Sequence, residues 1–405
     1  MTRWDVLVVG GGPAGAVAAH AACGTGARVL LVERGDGSGR PIPCTGLISP
    51  RTLEALDVSD ACRLREIHGG TLHAPGGRAL HLRAETAQAV VIDRAALNLE
   101  LLDRARNAGA EVRLRTRAVS PAGDGIRLAS ETGEEVVDAA VIVGADGPSS
   151  AVAGWFSLPR PTRFLVASQA VVRSPGGRRD ELDVFLGRRV APGFFAWAVP
   201  AEEGCLRIGL ATTTGNDPDA LLARLLEGRF PGPALERVRG MIPVGVTGRT
   251  VADGALLVGD AAGQVKPTSG GGVFTGTLCA RIGGEIAGYA SLTGQTARST
   301  LREYGRRWRG EIGSELRFGL TARDAADTLS DRQIDAIFEA LDRPRLRAFV
   351  AEYGDIDYPS RLVRAFLRRR DLWPLLLGLV PVLGGWGALS RVARSIVASL
   401  DGARL

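Results

Sequence analysis

A glycine-rich turn between two short apolar runs opens the chain, and this order constrains the fold more than any other feature. Residues 5–10 (DVLVVG) are apolar enough for a strand buried on both faces, and residues 28–34 (RVLLVER) suit a second one. Between them lie GGGPAG and an alanine-rich stretch that favours a helix. A strand, a helix and a second strand in this order predict a parallel sheet, and therefore an α/β fold.

The spacing of the glycines in this turn is typical of a dinucleotide site. Gly10, Gly12 and Gly15 form G-x-G-x-x-G. The first permits a tight turn, the second lets a pyrophosphate approach the backbone, and the third lets helix and strand pack closely. N–H groups at the helix start then face the phosphates, and Glu33 at the end of the second strand is placed to bind a ribose hydroxyl. The residues predicted to contact the dinucleotide here are Gly10, Gly12, Pro13, Ala14, Gly15, Glu33 and Arg34.

A second kind of sheet interrupts this nucleotide-binding unit. Residues 166–210 contain several strand-like runs separated by turns, which indicates an antiparallel sheet. Residues 255–258 (ALLV) return to a buried parallel strand, and residues 271–290 favour a second long helix. The predicted division is 1–60, 90–158 and 246–296 for a Rossmann-like domain, 61–89 and 159–245 for an antiparallel-sheet substrate domain, and 297–405 for a helical C-terminal region.

Charge and cysteine usage exclude several classes of function. The net charge is +6, but the arginines are spread along the chain and are not interleaved with aromatic residues, so we expect no nucleic-acid partner. The five cysteines form no CxxC pair and the four histidines do not cluster, so we expect no metal site. No signal peptide precedes the first strand, which predicts a cytoplasmic protein.

An apolar stretch near the C-terminus raises the question of membrane contact. Residues 372–389 are apolar, but two prolines and four glycines make them a poor spanning helix. They are interpreted as a buried helical hairpin, as a cap over an apolar substrate tunnel, or as a peripheral contact with the inner face of the cell membrane, which flanking arginines would support.

The choice of dinucleotide depends on segments far from the first turn. Gly259-Asp260 follows a buried strand and resembles the second flavin motif of glutathione-reductase-like flavoproteins. In that group the aspartate binds the ribityl chain, and the next helix directs its N-terminus at the flavin ring. Asp146-Gly147 and Arg94 resemble two further positions of the same group, although Asp146 also suits a simple Asp-Gly turn. Together these segments predict FAD as the cofactor.

Four segments identify a narrower resemblance: GDAAGQVKPTSGGGVFTG (259–276), PCTGLIS (43–49), FAWAVP (195–200) and YGDIDYPSRLV (353–363). In combination they resemble the geranylgeranyl reductase family, nearly from end to end of the chain. The resemblance implies FAD-dependent saturation of carbon–carbon double bonds in isoprenoid chains of lipids, quinones or pyrophosphates. The family's Y-x-W-x-F-P appears here with Phe195, Trp197 and Val199 before Pro200, and Thr45 replaces a smaller residue. Both departures from the family pattern bear on which substrate is bound more than on the class of reaction.

The same resemblance implies a set of residues around the flavin. The loop cysteine is Cys44, and Trp197 or Phe195 would stabilise a carbocation if protonation leads. Lys266 is the chain's single lysine and is expected to touch the cofactor or an anionic head group. Each has an alternative: a small buried apolar residue for Cys44, an aromatic core residue for Trp197, and a solvated loop residue for Lys266. The remaining residues expected near the flavin are Thr45, Gly46, Pro267, Gly270, Gly271 and Gly272.

The leading hypothesis is therefore an FAD-dependent reductase of an isoprenoid chain. Its substrate would be a geranylgeranyl lipid, geranylgeranyl pyrophosphate or a menaquinone side chain. The chain has no second G-x-G-x-x-G for a nicotinamide cofactor, so NADPH, ferredoxin and a quinol all remain as electron donors. The alternatives are an FAD-dependent monooxygenase or halogenase, and a non-catalytic protein that binds flavin and isoprenoid.

Overall fold

Residues 3–174 and 180–379 are described by a computed structural model, and in it the N-terminal β-α-β unit forms as predicted. The strands in chain order are β1 (Arg3–Val9), β2 (Val29–Val32), β3 (Leu47–Ile48), β4 (Arg63–Ile67), β5 (Gly69–His73), β6 (Ala79–Arg83), β7 (Ala89–Ile92), β8 (Glu111–Arg113), β9 (Arg117–Ala122), β10 (Gly125–Ser130), β11 (Gly133–Gly144), β12 (Phe164–Arg173), β13 (Glu181–Leu186), β14 (Phe195–Pro200), β15 (Cys205–Thr213), β16 (Ala234–Pro243), β17 (Val251–Ala252) and β18 (Ala255–Leu257).

The helices alternate with these strands and then dominate the C-terminal part of the described chain. In chain order they are α1 (Pro13–Cys23), α2 (Pro50–Leu56), α3 (Arg94–Asn107), α4 (Ala151–Trp155), α5 (Pro218–Arg229), α6 (Val273–Leu292), α7 (Arg298–Trp308), α8 (Ser314–Asp327), α9 (Asp331–Leu341), α10 (Pro344–Tyr353) and α11 (Ser360–Arg368). A π-helical turn over Arg309–Gly313 joins α7 to α8 in one continuous helix.

The first sheet carries the nucleotide-binding unit. Its order is β17-β18-β11-β1-β2-β8, and all neighbours from β18 to β8 are parallel. Strands β2 and β18 are buried along their whole length, which explains why their sequences are continuous apolar runs and do not alternate with polar residues. The α/β fold class predicted from the sequence is confirmed.

The second sheet is largely antiparallel, in the order β16-β12-β15-β14-β13-β5-β6. One face packs on α5, where alternate residues of β14 and β15 such as Ala196, Ala198, Ile208 and Leu210 are buried against leucines of that helix. The other face carries the opposite set, including Trp197 on β14. A third small sheet, β3-β7-β4, was not predicted.

Helices α1 and α6 lie in direct contact and run in the same direction. A Cβ at Gly284 of α6 would overlap the backbone of Ala18 on α1, and one at Gly288 would overlap Thr25. Glycines in α6 thus let the two backbones approach closely. The first turn of α6 lies beside Gly259, whose own Cβ position is 2.9 Å from the Cβ of Ala14 in α1.

The structure describes only part of the apolar stretch at residues 372–389. Residues 370–379 form a short 3₁₀ segment, and residues 380–389 lie outside the described residues. Within residues 3–174 and 180–379, no helix combines the length and the apolar character that crossing a bilayer requires.

Candidate active site

The turn between β1 and α1 has the geometry of a phosphate cradle. Gly10 has φ +106°, and a Cβ there would overlap the carbonyl of Ala145. A Cβ at Gly15 would overlap the carbonyl of Gly10, so helix and strand touch at this point. A Cβ at Gly12 would meet open space instead. Because Gly12 has no side chain to cap α1, which begins at Pro13, the first N–H groups of the helix are left for an anionic ligand.

Glu33 is held against this turn by two main-chain donors. The N–H of Gly11 donates to Oε2 at 2.6 Å, and the N–H of Gly35 donates to Oε1 at 2.7 Å. Each carboxylate oxygen can accept a further hydrogen bond, so the predicted contact with a ribose hydroxyl stays compatible with these bonds. Arg34 is exposed.

Two buried polar atoms, one on Asp146 beside the cradle and one on Arg94 near Asp260, fit an absent cofactor. Asp146 accepts from the N–H groups of Ala151 and Val152 through Oδ2, at 2.7 and 3.1 Å, while its buried Oδ1 has no partner among the described residues. The buried Nε of Arg94 likewise has none within the described part of the chain, and its Nη1 donates to Asn98 at 2.5 Å. Buried polar atoms of this kind call for a partner. Oxygen and nitrogen atoms of FAD would supply one.

Asp260 lies where the first sheet meets the start of α6. Gly259 before it has φ +63°, and a Cβ at Gly272, the residue that precedes α6, would lie 2.9 Å from Oδ1 of Asp260. The side chain keeps some exposed surface, but its carboxyl lies deep in the fold. Burial raises the pKa of this carboxyl to about 6, and the positive charge of Arg94 opposes the shift. These surroundings suit a carboxylate that accepts hydrogen bonds from the ribityl chain of FAD.

The loop that follows Asp260 meets the antiparallel sheet. Gly270 has φ +72°, and a Cβ there would lie 3.0 Å from Cδ1 of Ile242 and 3.6 Å from Cζ of Phe194. Phe194 stacks on Phe195 with ring centroids 4.1 Å apart, and Phe195 meets the edge of Trp197 at 6.0 Å. A row of three aromatic rings therefore borders the loop predicted to pass beside the flavin.

The cysteine-containing loop reaches the same face of the sheet. Gln169 on β12 accepts from the hydroxyl of Thr45 at 2.8 Å and from the indole N–H of Trp197 at 3.3 Å. The Sγ of Cys44 accepts from the N–H of Gly46 at 3.4 Å. Gly46 has φ +73°, a conformation that favours glycine. One glutamine thus joins the loop to the tryptophan that the sequence singled out.

Arg207 on β15 also binds the loop that contains Cys44. It is buried, and its Nη1 donates to the carbonyls of Thr45 and Ile92 at 2.7 and 3.0 Å, while Nη2 donates to Glu202 at 2.6 Å. Neither Arg207 nor Gln169 was predicted from the sequence. The signal that could have found them is a long polar side chain inside an apolar strand, in CLRIGLA and FLVASQAVVR.

Lys266 is buried in an ion pair. Its side chain is 9% exposed, and Nζ donates to Oδ1 of Asp357 at 2.6 Å and to the carbonyl of Ile356 at 2.9 Å. Asp357 also accepts from the hydroxyl of Ser49 and lies 3.6 Å from Arg51. Lys266 is therefore not a solvated loop residue, and its contact with a head group or cofactor stays a prediction.

The structure brings most of the predicted site residues together in two adjoining groups. Around the start of α1 lie Gly10, Gly12, Pro13, Ala14, Gly15, Glu33, Asp146, Gly147 and Gly259. Between the start of α6 and the antiparallel sheet lie Cys44, Thr45, Gly46, Arg94, Phe195, Trp197, Asp260, Lys266, Gly270, Gly271 and Gly272, while Pro267 lies against Gly319 of α8. Arg34 alone points to the surface. No group of His, Cys, Asp and Glu suited to a metal ion occurs within the described residues.

Comparisons with known proteins agree with this site. Residues 3–172 match the family described as FAD binding domain. The chain is 33% identical to the digeranylgeranylglycerophospholipid reductase of Methanothrix thermoacetophila, over 84% of this chain and 91% of that protein. It is 34% identical to digeranylgeranylglycerophospholipid reductase 2 of Methanopyrus kandleri, with the same two coverages.

Solved structures share the fold at lower identity. A geranylgeranyl bacteriochlorophyll reductase-like protein from Thermoplasma acidophilum superposes with a TM-score of 0.81, at 22% identity, over 94% of this chain and all of that one. A flavin-dependent brominase superposes with a TM-score of 0.69, at 16% identity, over 91% of this chain and 99% of that one. These likenesses concern the fold, whereas the relatives above 30% identity cover most of both sequences. The flavin site and the relatives together make this chain an FAD-dependent oxidoreductase of the geranylgeranyl reductase family.

Proposed function

We propose that this enzyme saturates carbon–carbon double bonds in the isoprenoid chain of a lipid, with reduced FAD as hydride donor. The observation that carries the proposal is the convergence of three segments on one face of the antiparallel sheet. The loop of Cys44 is joined to Trp197 through Gln169, and the loop around Gly270 borders the same row of aromatic rings. A hydrocarbon chain bound between them would lie against the flavin.

The chemistry of the reaction explains why such a face is needed. An unactivated alkene requires a hydride donor at one carbon, a proton at the other, and exclusion of water. Bound FAD supplies the hydride in its reduced form. Ile242, Phe194 and Phe195 offer apolar surface that keeps water out, and the indole of Trp197 offers a π face for positive charge that develops on carbon.

Cys44 and Lys266 receive different roles in this proposal. Cys44 belongs to the loop that faces the flavin, where its thiol contacts the reacting region. Lys266 is engaged by Asp357, which favours a role in holding the loop that begins at Pro267 over direct contact with a head group. The electron donor is NADPH, ferredoxin or a quinol, and the proposal does not depend on which.

A geranylgeranyl phospholipid is the substrate that the relatives' names favour, with geranylgeranyl pyrophosphate and menaquinone side chains as the other two candidates. We also propose peripheral contact with the inner face of the cell membrane. Leu367 and Trp373 are exposed on either side of three consecutive arginines at 368–370. Apolar side chains beside a basic run suit the interface of an anionic membrane.

Anaerobic single turnover tests the reaction class. Chemically reduced enzyme is mixed with each of the three candidate lipids, and the flavin absorbance is followed without oxygen. We expect reoxidation with the true substrate and a product heavier by H₂ for each saturated bond. Flavin that stays reduced until oxygen enters, with oxygen or halogen in the product, would indicate a monooxygenase or halogenase instead. Lipid binding that leaves the reduced flavin unchanged would indicate a carrier.

Two substitutions of one residue test the role of the indole. Trp197→Leu removes the π face, and we expect flavin reoxidation to slow about tenfold because cation–π stabilisation is lost. Trp197→Phe keeps an aromatic ring but loses the hydrogen bond to Gln169, and should retain most of the rate. Flavin content measured by absorbance confirms that both variants are loaded. Equal slowing in both would assign the effect to the hydrogen bond and remove the π face from the mechanism.

A further inference from the structure

A cleft of about 510 Å³ lies at the outer edge of the first sheet, and none of the three aromatic residues of the row lines it. One wall is formed by residues 248–251, which lead into the edge strand β17, and the other by α7 and the turn after it. Four arginines line it: Arg249 from the first wall, and Arg298, Arg302 and Arg309 from the second. Neither FAD binding nor the proposed reduction uses these residues.

The guanidinium groups in this cleft have no acidic partner in the described part of the chain, although the carboxylate of Asp253 accepts the main-chain N–H of Arg298 at 2.6 Å. Arg249 donates to the carbonyl of Ser157 at 2.6 Å, and Arg309 donates only to main-chain carbonyls. Within residues 3–174 and 180–379, no carboxylate pairs with the side chain of any of the four. Elsewhere arginines are commonly paired, as Arg113 is with two glutamates at 2.6 Å. Four unpaired guanidinium groups around one cleft produce a strongly positive potential that favours an anion.

A buried hydroxyl in the wall of the cleft provides a second, independent observation. Thr250 is 1% exposed, and its Oγ1 has no hydrogen-bond partner among the residues that the structure describes. Leaving such a group unsatisfied costs about 1–3 kcal/mol, so a partner supplied from outside the chain accounts for its presence. Because Thr250 is one of the residues that line the cleft, a small shift of its side chain would let the hydroxyl donate to an oxygen of a ligand bound there.

We infer that this cleft binds the phosphate group of a small molecule. Guanidinium groups hold phosphate through paired N–H···O bonds, which is the contact that arginine makes better than lysine. The first N–H of α7 donates to the carboxylate of Asp253 at 2.6 Å, so the arginine side chains and not the helix end would hold the phosphate. A concave volume of this size suits a small molecule better than the flat surface of a protein partner. The inference is independent of the reductase reaction and goes beyond it.

Calorimetric titration of the full-length, FAD-loaded protein with inorganic pyrophosphate tests the inference. Loading with FAD fills the cradle at α1, so that binding reports on the cleft. We expect saturable binding that weakens about tenfold or more in Arg302→Gln, because a charge-assisted hydrogen bond is lost. Arg117→Gln removes the same charge from an exposed site on β9 and should leave the affinity unchanged. Thr250→Val should also weaken binding of pyrophosphate. The unfolding temperature of this variant should be equal to that of the wild type or higher, because a buried unpaired hydroxyl is removed.

A second experiment shows whether the phosphate group belongs to a soluble compound or to a lipid head group. Phosphatidylcholine vesicles with and without phosphatidic acid are sedimented with the same proteins. Binding of pyrophosphate alone supports a soluble phosphate compound, whereas sedimentation that requires phosphatidic acid and is lost in Arg302→Gln and Thr250→Val supports a lipid head group. Absence of both kinds of binding would overturn the inference. So would an Arg117→Gln variant that loses as much affinity as Arg302→Gln, because the effect would then be one of net charge.

Discussion

Gly12 and Gly15 lie three residues apart in the same turn but have opposite surroundings. Gly15 has no room for a side chain because α1 touches the carbonyl of Gly10, whereas Gly12 faces open space. The motif predicts pyrophosphate approach at Gly12 and close packing of helix and strand at Gly15. The open space at one and the backbone contact at the other fit this difference in role.

The two glycines should therefore respond differently to alanine. Gly15→Ala should lower the free energy of unfolding of the apoprotein by about 1–3 kcal/mol or more, since the added methyl group overlaps the backbone. Gly12→Ala should leave that energy within about 0.5 kcal/mol of the wild type but weaken FAD binding, because the methyl group occupies space of the pyrophosphate. Urea unfolding and flavin fluorescence titration measure the two quantities. Equal destabilisation by both changes would contradict this separation.

Because of Asp260, the free energy of unfolding of the apoprotein should fall as the pH rises, which is the reverse of the usual effect of an aspartate. Its folded-state pKa, raised by burial to about 6, exceeds the ordinary aspartate pKa of 3.8. The folded state therefore binds more protons between these values and loses stability as the pH rises through them. Asp260→Asn should stabilise the apoprotein at about pH 7 by at most about 3 kcal/mol, at about 1.4 kcal/mol for each pKa unit. It should weaken FAD binding at the same time.

Urea unfolding of the apoprotein at several pH values measures the effect of Asp260→Asn. The gain in stability should vanish below the lower of the two pKa values, where the aspartate is protonated in both states. Asp124→Asn, at an exposed turn, is the matched control and should show no gain. A stability difference that does not change with pH would show that the carboxyl is not desolvated.

At the scale of elements, the loop between α10 and α11 (residues 354–359) fastens the C-terminal helices to the flavin loop. Asp357 in this loop binds Lys266, and Asp355 binds both guanidinium nitrogens of Arg51 at 3.1 and 3.2 Å. Just after it, Ser360 donates twice to Glu315 of α8, at 2.5 and 2.8 Å. The segment YGDIDYPS, which is part of the family resemblance, thus contacts Arg51, Lys266 and helix α8.

Breaking the central ion pair of this loop should destabilise the fold strongly. Lys266→Met leaves the fully buried Asp357 without its closest cation, and we expect a loss of about 3–5 kcal/mol in the free energy of unfolding. The double variant Lys266→Met/Asp357→Asn should recover part of this loss, because no buried charge is then left unpaired. Arg127→Met breaks a half-exposed pair with Glu134 and should cost less than about 1 kcal/mol. A Lys266→Met variant as stable as Arg127→Met would refute the importance of the pair.

At the scale of the whole molecule, polar contacts hold the antiparallel sheet to the cysteine loop and to the small sheet β3-β7-β4. Arg207 is central, since it joins β15 of the antiparallel sheet to Thr45 in the cysteine loop and to the end of β7. These contacts determine how the aromatic row is positioned relative to the flavin loop. A small displacement of a reacting group can cost about 100-fold in rate.

Arg207→Met should therefore lower turnover by about tenfold or more, because the aromatic row is no longer held in its orientation to the flavin loop. FAD should remain bound, since the phosphate cradle is unchanged. Steady-state reduction of the lipid and the flavin content of the purified protein are the two measurements. Arg237→Met, on the exposed side of β16, is the matched control. Loss of FAD in Arg207→Met would show that the residue supports cofactor binding instead.

The sequence predicted those parts of the molecule that local spacing determines. The β-α-β unit, FAD and the family depend on motifs of a few residues, and each is confirmed. The contacts of Gln169, Arg207 and Asp357 were missed because their partners lie far along the chain: 124 residues separate Thr45 from Gln169, and 91 separate Lys266 from Asp357. No local pattern carries that information, since it depends on how the sheets and the C-terminal helices come together.

The close contact between α1 and α6 has an electrostatic consequence. The two helices run in the same direction, and their first turns lie on either side of Gly259. Parallel helix dipoles place like partial charges side by side, and here the backbones are too close for side chains to separate them. Two positive helix ends therefore lie close together in the apoprotein. FAD bound here would bring an anionic diphosphate to them, so the cofactor would also act as a counterion.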